Sequence, residues 1–355
     1  MNDRSHLTIK FGVGVAGIVV AALAHAQSSV TLYGVADAGL LYTSRTAGGG
    51  AHQLSMIDGG MSGSHFGLKG AEDLGGGLKA IMTLESGISM ANGGFANSNG
   101  NLFGRQAWVG LTGGFGTVLT GLQYSPFVLS LIGTEPRNVS YFGSGAPLYV
   151  GNVLDTGLFN PNAISYTSPV IGGLQGSAML ALGGKPGDFQ AGRQYSARLK
   201  YDMGGFTLDA AVYSGNAGGT TAMTPVPSAV EFTGRTIGAG YTIGNLTAKA
   251  VFVNYKVAGS FDNRVFGGGF DYALTPALNA NAGAWYTSDG NDTANHSIMT
   301  AAGVDYSLSK RTLLYGQVAY VKNHGKMNTG LSLNGALFAS EGSTVGATVG
   351  IRHTF

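Results

Sequence analysis

Hydrophobic and polar residues alternate with a period of two along most of the chain. In the first such segment Val30, Leu32 and Leu40 fall on one face, whereas Tyr33 and Asp37 fall on the other. This period, sustained over about ten residues, is typical of a β-strand with one apolar and one mixed face. The pattern predicts about sixteen strands, at 29–43, 63–73, 77–89, 103–112, 115–124, 162–170, 173–183, 193–203, 205–215, 230–243, 245–256, 264–274, 277–287, 296–308, 311–323 and 342–355.

The connections between these segments alternate between short and long. Short ones carry turn residues, as at Gly75-Gly76-Gly77 and Gly204-Gly205, whereas long ones include 44–62, 125–161 and 324–341. Tight turns at one rim and long loops at the other are typical of a bacterial outer-membrane barrel. The predicted fold class is therefore all-β, a transmembrane antiparallel β-barrel of about sixteen strands.

Composition helps to separate this fold from a soluble β-sandwich or propeller, which also contains many short strands. Charged residues make up 11% of the chain, and glycine accounts for 61 residues. A soluble domain carries about a quarter charged residues, and a sandwich surrounds its core with charged outer faces. The second face of these strands is only lightly charged, which favours a barrel in lipid.

The final segment, 342–355, has the same alternation and ends on Phe355. Every backbone amide in hydrocarbon must be paired, so the first and last strands of such a sheet must meet. We therefore expect this segment to close the ring. Phe355 is predicted to lie in the aromatic girdle at the membrane rim and to contribute to assembly.

The first 26 residues have the organisation of a secretory signal. Arg4 and Lys10 provide a basic start, an apolar run follows, and Ala24-His25-Ala26 is a small-residue cleavage site. The apolar run is too short for a spanning helix, which needs about 20 residues. The sequence predicts a signal peptide at 1–26, cleaved after Ala26, and a barrel domain at 27–355.

Charge and motif content exclude several classes of function. A formal net charge of +2 gives no reason to expect a nucleic-acid partner, and the absence of cysteine excludes disulfides and thiolate metal sites. The seven histidines show no paired spacing, and neither an HExxH nor a Gly-x-Ser-x-Gly motif occurs. We expect no cofactor and no enzymatic activity, so an outer-membrane hydrolase is disfavoured.

Four stretches of the chain resemble the general porins of Gram-negative bacteria. They are VTLYGVADAG (30–39), GSHFGLKGAEDLGGGLKA (63–80), RQAWVGLTGGFGTV (105–118) and GIRHTF (350–355). The resemblance implies a water-filled, sixteen-stranded barrel in the cell outer membrane that assembles as a homotrimer. It also implies a third long loop that folds inward as a constriction. The expected partners are outer-membrane lipid, small hydrophilic solutes and ions.

The connection at about 125–161 has properties that fit an inward loop. It spans about 37 residues, and loops of that length are usually functional. It is also rich in apolar residues such as Phe127, Leu131 and Tyr149, which surface loops rarely carry. We expect it to pack inside the lumen. A position on the rim, or against a neighbouring subunit, is the alternative.

Resemblance also assigns candidate residues to the narrowest part of the pore. Porins of this family place basic wall residues opposite acids on the inward loop, and alignment through RQAWVGL puts Arg105 on that wall. A wall salt bridge that braces the barrel is an equally good interpretation of Arg105 and Glu85. Leu122 stands where relatives commonly have arginine, so the basic wall is thinned. The predicted constriction residues are Arg105, Glu85, His65, Lys69, Asp37, Glu135, Arg137 and Asp155.

The inward-facing charges are almost balanced, with a small excess of cations. Scattered charges in a wet pore are screened over about 8 Å at physiological salt. The sequence therefore predicts passive diffusion of small hydrophilic solutes, governed mainly by size, with a weak preference for anions. The alternatives are a substrate-specific channel for sugars or small aromatic solutes, and an adhesin or receptor that uses the long loops.

Overall fold

The computed structural model describes residues 29–47, 50–151, 158–220 and 231–355. Among these residues no helix is long and apolar enough to cross a membrane. The strands are β1 Ser29–Thr43, β2 Gln53–Asp58, β3 His65–Gly75, β4 Leu78–Gly87, β5 Gln106–Gly113, β6 Gly116–Tyr124, β7 Phe159–Thr167, β8 Leu174–Ala181, β9 Gln194–Met203, β10 Phe206–Gly215, β11 Phe232–Ile243, β12 Leu246–Val257, β13 Asp262–Ala273, β14 Leu278–Asp289, β15 His296–Ser307, β16 Thr312–His324, β17 Thr329–Ser332, β18 Ala336–Phe338 and β19 Gly342–Thr354. The helices are α1 Pro126–Thr134 and α2 Gly145–Gly151.

The large sheet closes on itself. Each strand pairs antiparallel with its neighbour, and β19 pairs with β1 from Val35↔Thr354 to Thr43↔Gly346. The backbone N–H groups of Gly34 and Phe355 each donate to the carbonyl of the other at 3.1 Å. The sheet therefore has no free edge, and the predicted antiparallel barrel of sixteen strands is confirmed.

The second strand of the barrel is broken into two pieces. β2 pairs with residues 38–43 of β1, and β3 pairs with residues 29–35 of the same strand. Residues 59–64 lie between β2 and β3. The sequence prediction of one long loop at 44–62 was therefore wrong. β2 has only six residues and is followed by Gly59-Gly60, so its alternation was too short to stand out.

The outward face of the barrel is apolar. Leu32 is 59% exposed and Val349 57%, and both point away from the lumen. Monomeric soluble proteins rarely expose contiguous apolar surface of more than a few hundred Å². Aromatic side chains are exposed near the rim that carries the short turns; they are Phe206, Tyr241, Phe270, Tyr306 and Phe355. Such a surface fits hydrocarbon bounded by an interfacial girdle.

The segment that follows β6 lies inside the barrel. Ser125 caps α1, since its Oγ accepts from the Val128 N–H at 3.2 Å, and Pro126 occupies the first turn. Phe127 is fully buried against Tyr213 and Tyr255, which face inward from β10 and β12. Burial of these rings holds the helix against the wall formed by β9 to β12.

The last long connection also folds towards the lumen. β17 and β18 form a hairpin in the part of the chain that the pattern at 324–341 predicted to be an irregular loop. Gly143 N–H donates to the Leu331 carbonyl at 2.8 Å, and Leu333 N–H donates to the Tyr141 carbonyl at 2.8 Å. The hairpin was missed because it is held by these distant contacts and not by a long alternating run.

Candidate functional site

The inward face of β4 and the residue before β5 carry a buried ion pair. Arg105 Nε lies 2.7 Å from Glu85 Oε1, and its Nη2 donates to the Tyr124 hydroxyl at 3.0 Å. The Tyr33 hydroxyl donates to the other carboxylate oxygen of Glu85 at 2.7 Å. The structure thus brings together the predicted wall pair, with two tyrosines that orient it.

His65 and Lys69 extend this group along β3. The rings of His65 and Tyr33 form an edge-to-face pair with a centroid distance of 6.3 Å, and His65 Nδ1 lies 2.8 Å from the Gly63 carbonyl. Lys69 Nζ lies 4.2 Å above the Tyr33 ring, and its side chain is exposed. Four of the predicted constriction residues, Arg105, Glu85, His65 and Lys69, therefore share one stretch of wall.

Asp37 faces inward from β1, one step along the same face from Val35, which is the cross-strand partner of His65. Its carboxylate is fully buried and accepts the backbone N–H groups of Gly60, Met61 and Ser62 at 3.2, 3.1 and 2.9 Å. The Tyr315 hydroxyl donates to it at 2.7 Å. Asp37 therefore anchors the break in the second barrel strand and presents no carboxylate surface to solvent.

Glu135, at the end of α1, is buried within the inward segment. Its carboxylate accepts the N–H groups of Arg137, Val139 and Gly145 at 2.7, 2.6 and 2.9 Å. Burial raises the pKa of the Glu135 carboxyl, and these donors oppose the rise. The carboxylate holds the turn between α1 and α2 in place.

Arg137 reaches from that turn to the wall on the far side. Its Nε donates to Asn281 Oδ1 at 2.7 Å and its Nη2 to Gln317 Oε1 at 2.6 Å. Burial lowers the pKa of the guanidinium to about 10. Arg137 thus fastens the inward segment to β14 and β16. Asp155, the third charge predicted on the loop, lies outside the described residues.

A cavity of about 180 Å³ separates the Arg105 wall from the inward segment. Across it Arg105 faces Val139 and Tyr141, and the ring of Tyr124 also lines the space. No carboxylate is among its lining residues in the described part of the chain. Glu135 therefore does not contribute the acidic side of an electric field across this cavity, because its carboxylate points into the loop.

A second, polar cavity of about 320 Å³ lies on the other side of the inward segment. It is lined by Arg137 and Arg352, by the carboxylates of Asp271 and Asp305, and by Asn281. Sequence reasoning did not single out Arg352, Asn281 or the tyrosines beside Arg105 as site residues. The alternation along β1 could have identified Tyr33 as an inward-facing residue. The same alternation could not identify Tyr124, because Tyr124 lies beyond the β-bulge that interrupts β6.

A closed barrel with an apolar exterior, a charged interior and an inward segment defines an outer-membrane channel. A model of the Gram-negative porin family matches residues 13–326. The chain is 32% identical to outer membrane porin protein 32 of Delftia acidovorans, over 97% of this chain and 99% of that protein. It is 27% identical to an outer membrane porin protein of Bordetella pertussis, over 94% and 96% of the two.

Solved structures give the same result. The anion-selective porin from Comamonas acidovorans has a TM-score of 0.80 at 27% identity, covering 93% of this chain and 100% of that one. The fold of OmpT from Vibrio cholerae, in its trimer form, is also similar, with a TM-score of 0.70 at 16% identity and coverage of 92% and 99%. The chain belongs to the Gram-negative porin family, and it is a diffusion channel of the outer membrane. The names of these relatives describe channels and indicate no catalytic activity.

Proposed function

We propose that the channel passes small hydrophilic solutes mainly by size, with a weak preference for anions. The observation that carries this proposal is the unequal burial of the charges that face the lumen. Asp37 and Asp209 are fully buried and Glu85 is 5% exposed, whereas the side chains of Lys69 and Lys79 are exposed. Ions in the pore therefore meet fewer of the carboxylates than of the cations.

Ion pairs on the wall keep this preference weak. Arg198 binds Asp209 in a bidentate pair, with Nε–Oδ1 at 2.9 Å and Nη2–Oδ2 at 2.5 Å. Lys200 Nζ lies 2.6 Å from Asp202 Oδ2. Such pairs cancel charge locally, and salt screens the remaining charges over about 8 Å. The fold resembles that of an anion-selective porin from Comamonas acidovorans, and this resemblance supports a preference for anions.

The sign of selectivity is measured by the reversal potential of the refolded protein in a planar bilayer under a potassium chloride gradient. We expect a chloride-to-potassium permeability ratio above one and below about ten, because screening limits the field of isolated charges. A ratio clearly below one would contradict the proposal. A ratio far above ten would show a concentrated field that the described residues do not provide.

Lys69 is the most exposed cation on the stretch of wall that it shares with Arg105, Glu85 and His65, and its replacement by glutamate reverses the charge there. We expect K69E to fold normally and to move the reversal potential towards cation selectivity, because the new carboxylate lies in the wet lumen. Lys256 is the matched control, since it is exposed on the outward face of β12. An equal shift in K256E would show that surface charge, not the pore wall, sets selectivity.

We also infer that the mature chain begins at Gln27 and assembles as a homotrimer. The outward face of β2 supports the second inference, because Leu54 is 70% exposed and Met56 53% near the long-loop rim. We also propose that the charged wall of the pore constriction is formed by Arg105, Glu85, His65 and Lys69. Phe355 is proposed to lie in the aromatic girdle at the membrane rim and to contribute to assembly. Mass spectrometry of the exported protein and its sedimentation in detergent test the two inferences separately.

A further inference from the structure

The cavity of about 180 Å³ between the Arg105 wall and the inward segment has a lining that is mostly apolar. We refer to it as the Arg105 cavity. Apolar side chains surround most of the space; they include Val128, Leu131, Ile132, Val139, Leu158 and Leu333. Among the described residues that line it, only Arg105 carries a charge. A ligand that fits this lining has an apolar body and one charged group.

Arg105 retains hydrogen-bond donors for such a ligand. Its Nε donates to Glu85 and one N–H of its Nη2 to the Tyr124 hydroxyl, whereas Nη1 makes no hydrogen bond within the described part of the chain. A guanidinium has five N–H donors, so three of those of Arg105 stay free. The Tyr124 hydroxyl accepts from Arg105, and its own O–H donates to none of the described groups. Arg105 and Tyr124 thus provide free donors on one side of the cavity.

The same cavity is poor in acceptors. No carboxylate or amide side chain is among its described lining residues. Glu85 does not line it, and the two oxygens of that carboxylate already accept from Arg105 and Tyr33. A carboxylate ligand would satisfy the free donors of Arg105 bidentately, whereas the hydroxyl groups of a sugar would leave donors of their own unpaired. The lining therefore favours an organic anion over a sugar.

The size and walls of the Arg105 cavity suit an aromatic ring. An apolar cavity of about 150 Å³ in a protein core binds one benzene molecule, and the Arg105 cavity, at about 180 Å³, is slightly larger. The rings of Tyr124 and Phe159, which both line it, pack with a centroid distance of 5.7 Å. Aromatic pairs at such distances contribute beyond the area that they bury. A benzene ring with one carboxyl group matches both the volume and the walls.

Val139 lines the cavity from an unfavourable backbone conformation. Its φ is 57°, in the left-handed region that a β-branched residue rarely adopts. The Val139 N–H donates to Glu135 Oε2 at 2.6 Å, which helps to hold this conformation. Such strain persists at sites where the side chain has a role. It indicates that an apolar side chain is kept opposite Arg105, where asparagine or aspartate would suit the backbone better.

We propose that the Arg105 cavity is a binding site for small aromatic carboxylates on their way through the channel. The carboxylate accepts from Arg105 and Tyr124, and the ring packs against Val139 and Tyr141 on the other side. This inference rests on the proposed function, since the solute enters by diffusion through the pore. It goes further because burial of a ring retains such solutes, whereas inorganic anions pass without that interaction.

The test titrates benzoate against the full-length refolded protein. Acetate and benzyl alcohol are the comparison probes, since acetate has no ring and benzyl alcohol has no charge. Binding to the detergent-solubilised protein is measured by saturation-transfer NMR, and block of the single-channel current is measured in planar bilayers. We expect benzoate to bind, and to block the current, at concentrations at least about tenfold lower than either comparison probe.

The variant V139D places a carboxylate opposite Arg105, in a backbone conformation that aspartate tolerates. The new carboxylate occupies the free donors and repels the ligand, so we expect benzoate binding at least about tenfold weaker than in the wild type. V139N has the same backbone preference without the charge. It should lose no more than about threefold, because only one apolar side chain of the lining has changed.

Asn138→Asp is the matched charge control. Asn138 has a φ of 56°, next to Val139, but it lines the polar cavity on the other side of the inward segment. Its Oδ1 accepts from Lys249 Nζ at 2.8 Å, and aspartate keeps that acceptor. We expect N138D to form channels of normal conductance and to bind benzoate as the wild type does.

Equal binding of benzoate and acetate would overturn the proposal, and so would benzyl alcohol binding as tightly as benzoate. These comparisons use the wild type and hold even if V139D does not fold. Wild-type binding by V139D, or an equal loss in N138D, would also overturn it. Benzoate binding in detergent by a protein that forms no channels would contradict the proposed function and leave the binding site established.

Discussion

Substitution of Asp37 by alanine is expected to lower the free energy of unfolding by about 3–5 kcal/mol, one of the two largest effects in this chain. The Asp37 carboxylate accepts three backbone N–H groups and the Tyr315 hydroxyl; the bonds from Gly60 and Tyr315 are buried, and those from Met61 and Ser62 are partly buried. Each buried donor left without a partner costs about 1–3 kcal/mol. Unfolding of the refolded variant in detergent, followed by circular dichroism against denaturant concentration, measures the loss.

Asp73→Ala is the matched control for D37A. The Asp73 side chain is exposed at the short-turn end of β3, where its carboxylate accepts the Gly75 N–H at 2.9 Å. We expect the control to change stability by less than about 1 kcal/mol, because water replaces the lost acceptor. Equal stability of D37A and D73A would show that the break in the second strand does not depend on Asp37.

Replacing Glu135 with alanine is expected to widen the pore as well as to destabilise the protein. The variant removes the acceptor of three N–H groups, two of them buried and that of Val139 partly buried, that fix the turn between α1 and α2. We expect a loss of roughly 3 kcal/mol or more and a rise in single-channel conductance, because the inward segment is no longer held against the wall. Conductance in planar bilayers and denaturant unfolding measure the two effects.

Two variants control the E135A experiment. Glu135→Gln keeps one carbonyl acceptor and should retain part of the stability, whereas Glu341→Ala changes an exposed side chain in the last connection and should have wild-type conductance. If E135A conducted like E341A, the carboxylate would not be what positions the inward segment. The comparison thus separates loop anchoring from a general effect of removing negative charge.

The transmembrane strands could be predicted from sequence because each is long and amphipathic. The first was predicted at 29–43 and spans Ser29–Thr43, and the alternation gave the correct inward face for Asp37. Several boundaries were displaced by up to three residues; for example, the strand predicted at 162–170 spans Phe159–Thr167. Proline is disfavoured in a central strand, and Pro161 lies in this irregular start, opposite a register shift between Gly121 and Gln123.

The inner features of the barrel were harder to predict because distant contacts determine them. Glu135 is a charge on a long loop, and only the fold shows that its carboxylate is buried among backbone donors. β17 and β18 together have seven residues, too few for a periodic signal, and they are held by Tyr141 and Gly143. Alternation reports which face a residue takes but not what packs onto that face.

The hydrogen bonds around Tyr141 also constrain the order of folding. Tyr141 N–H donates to the Met61 carbonyl, and the Tyr141 carbonyl accepts from Leu333 N–H. Tyr141 is therefore hydrogen-bonded both to Met61, near the beginning of the chain, and to Leu333, near its end. Contacts so distant in sequence form late, because loop closure must come first. We therefore expect the lumen to be wider in a partly assembled barrel than in the finished one, and to narrow only when the first and last parts of the chain have come together.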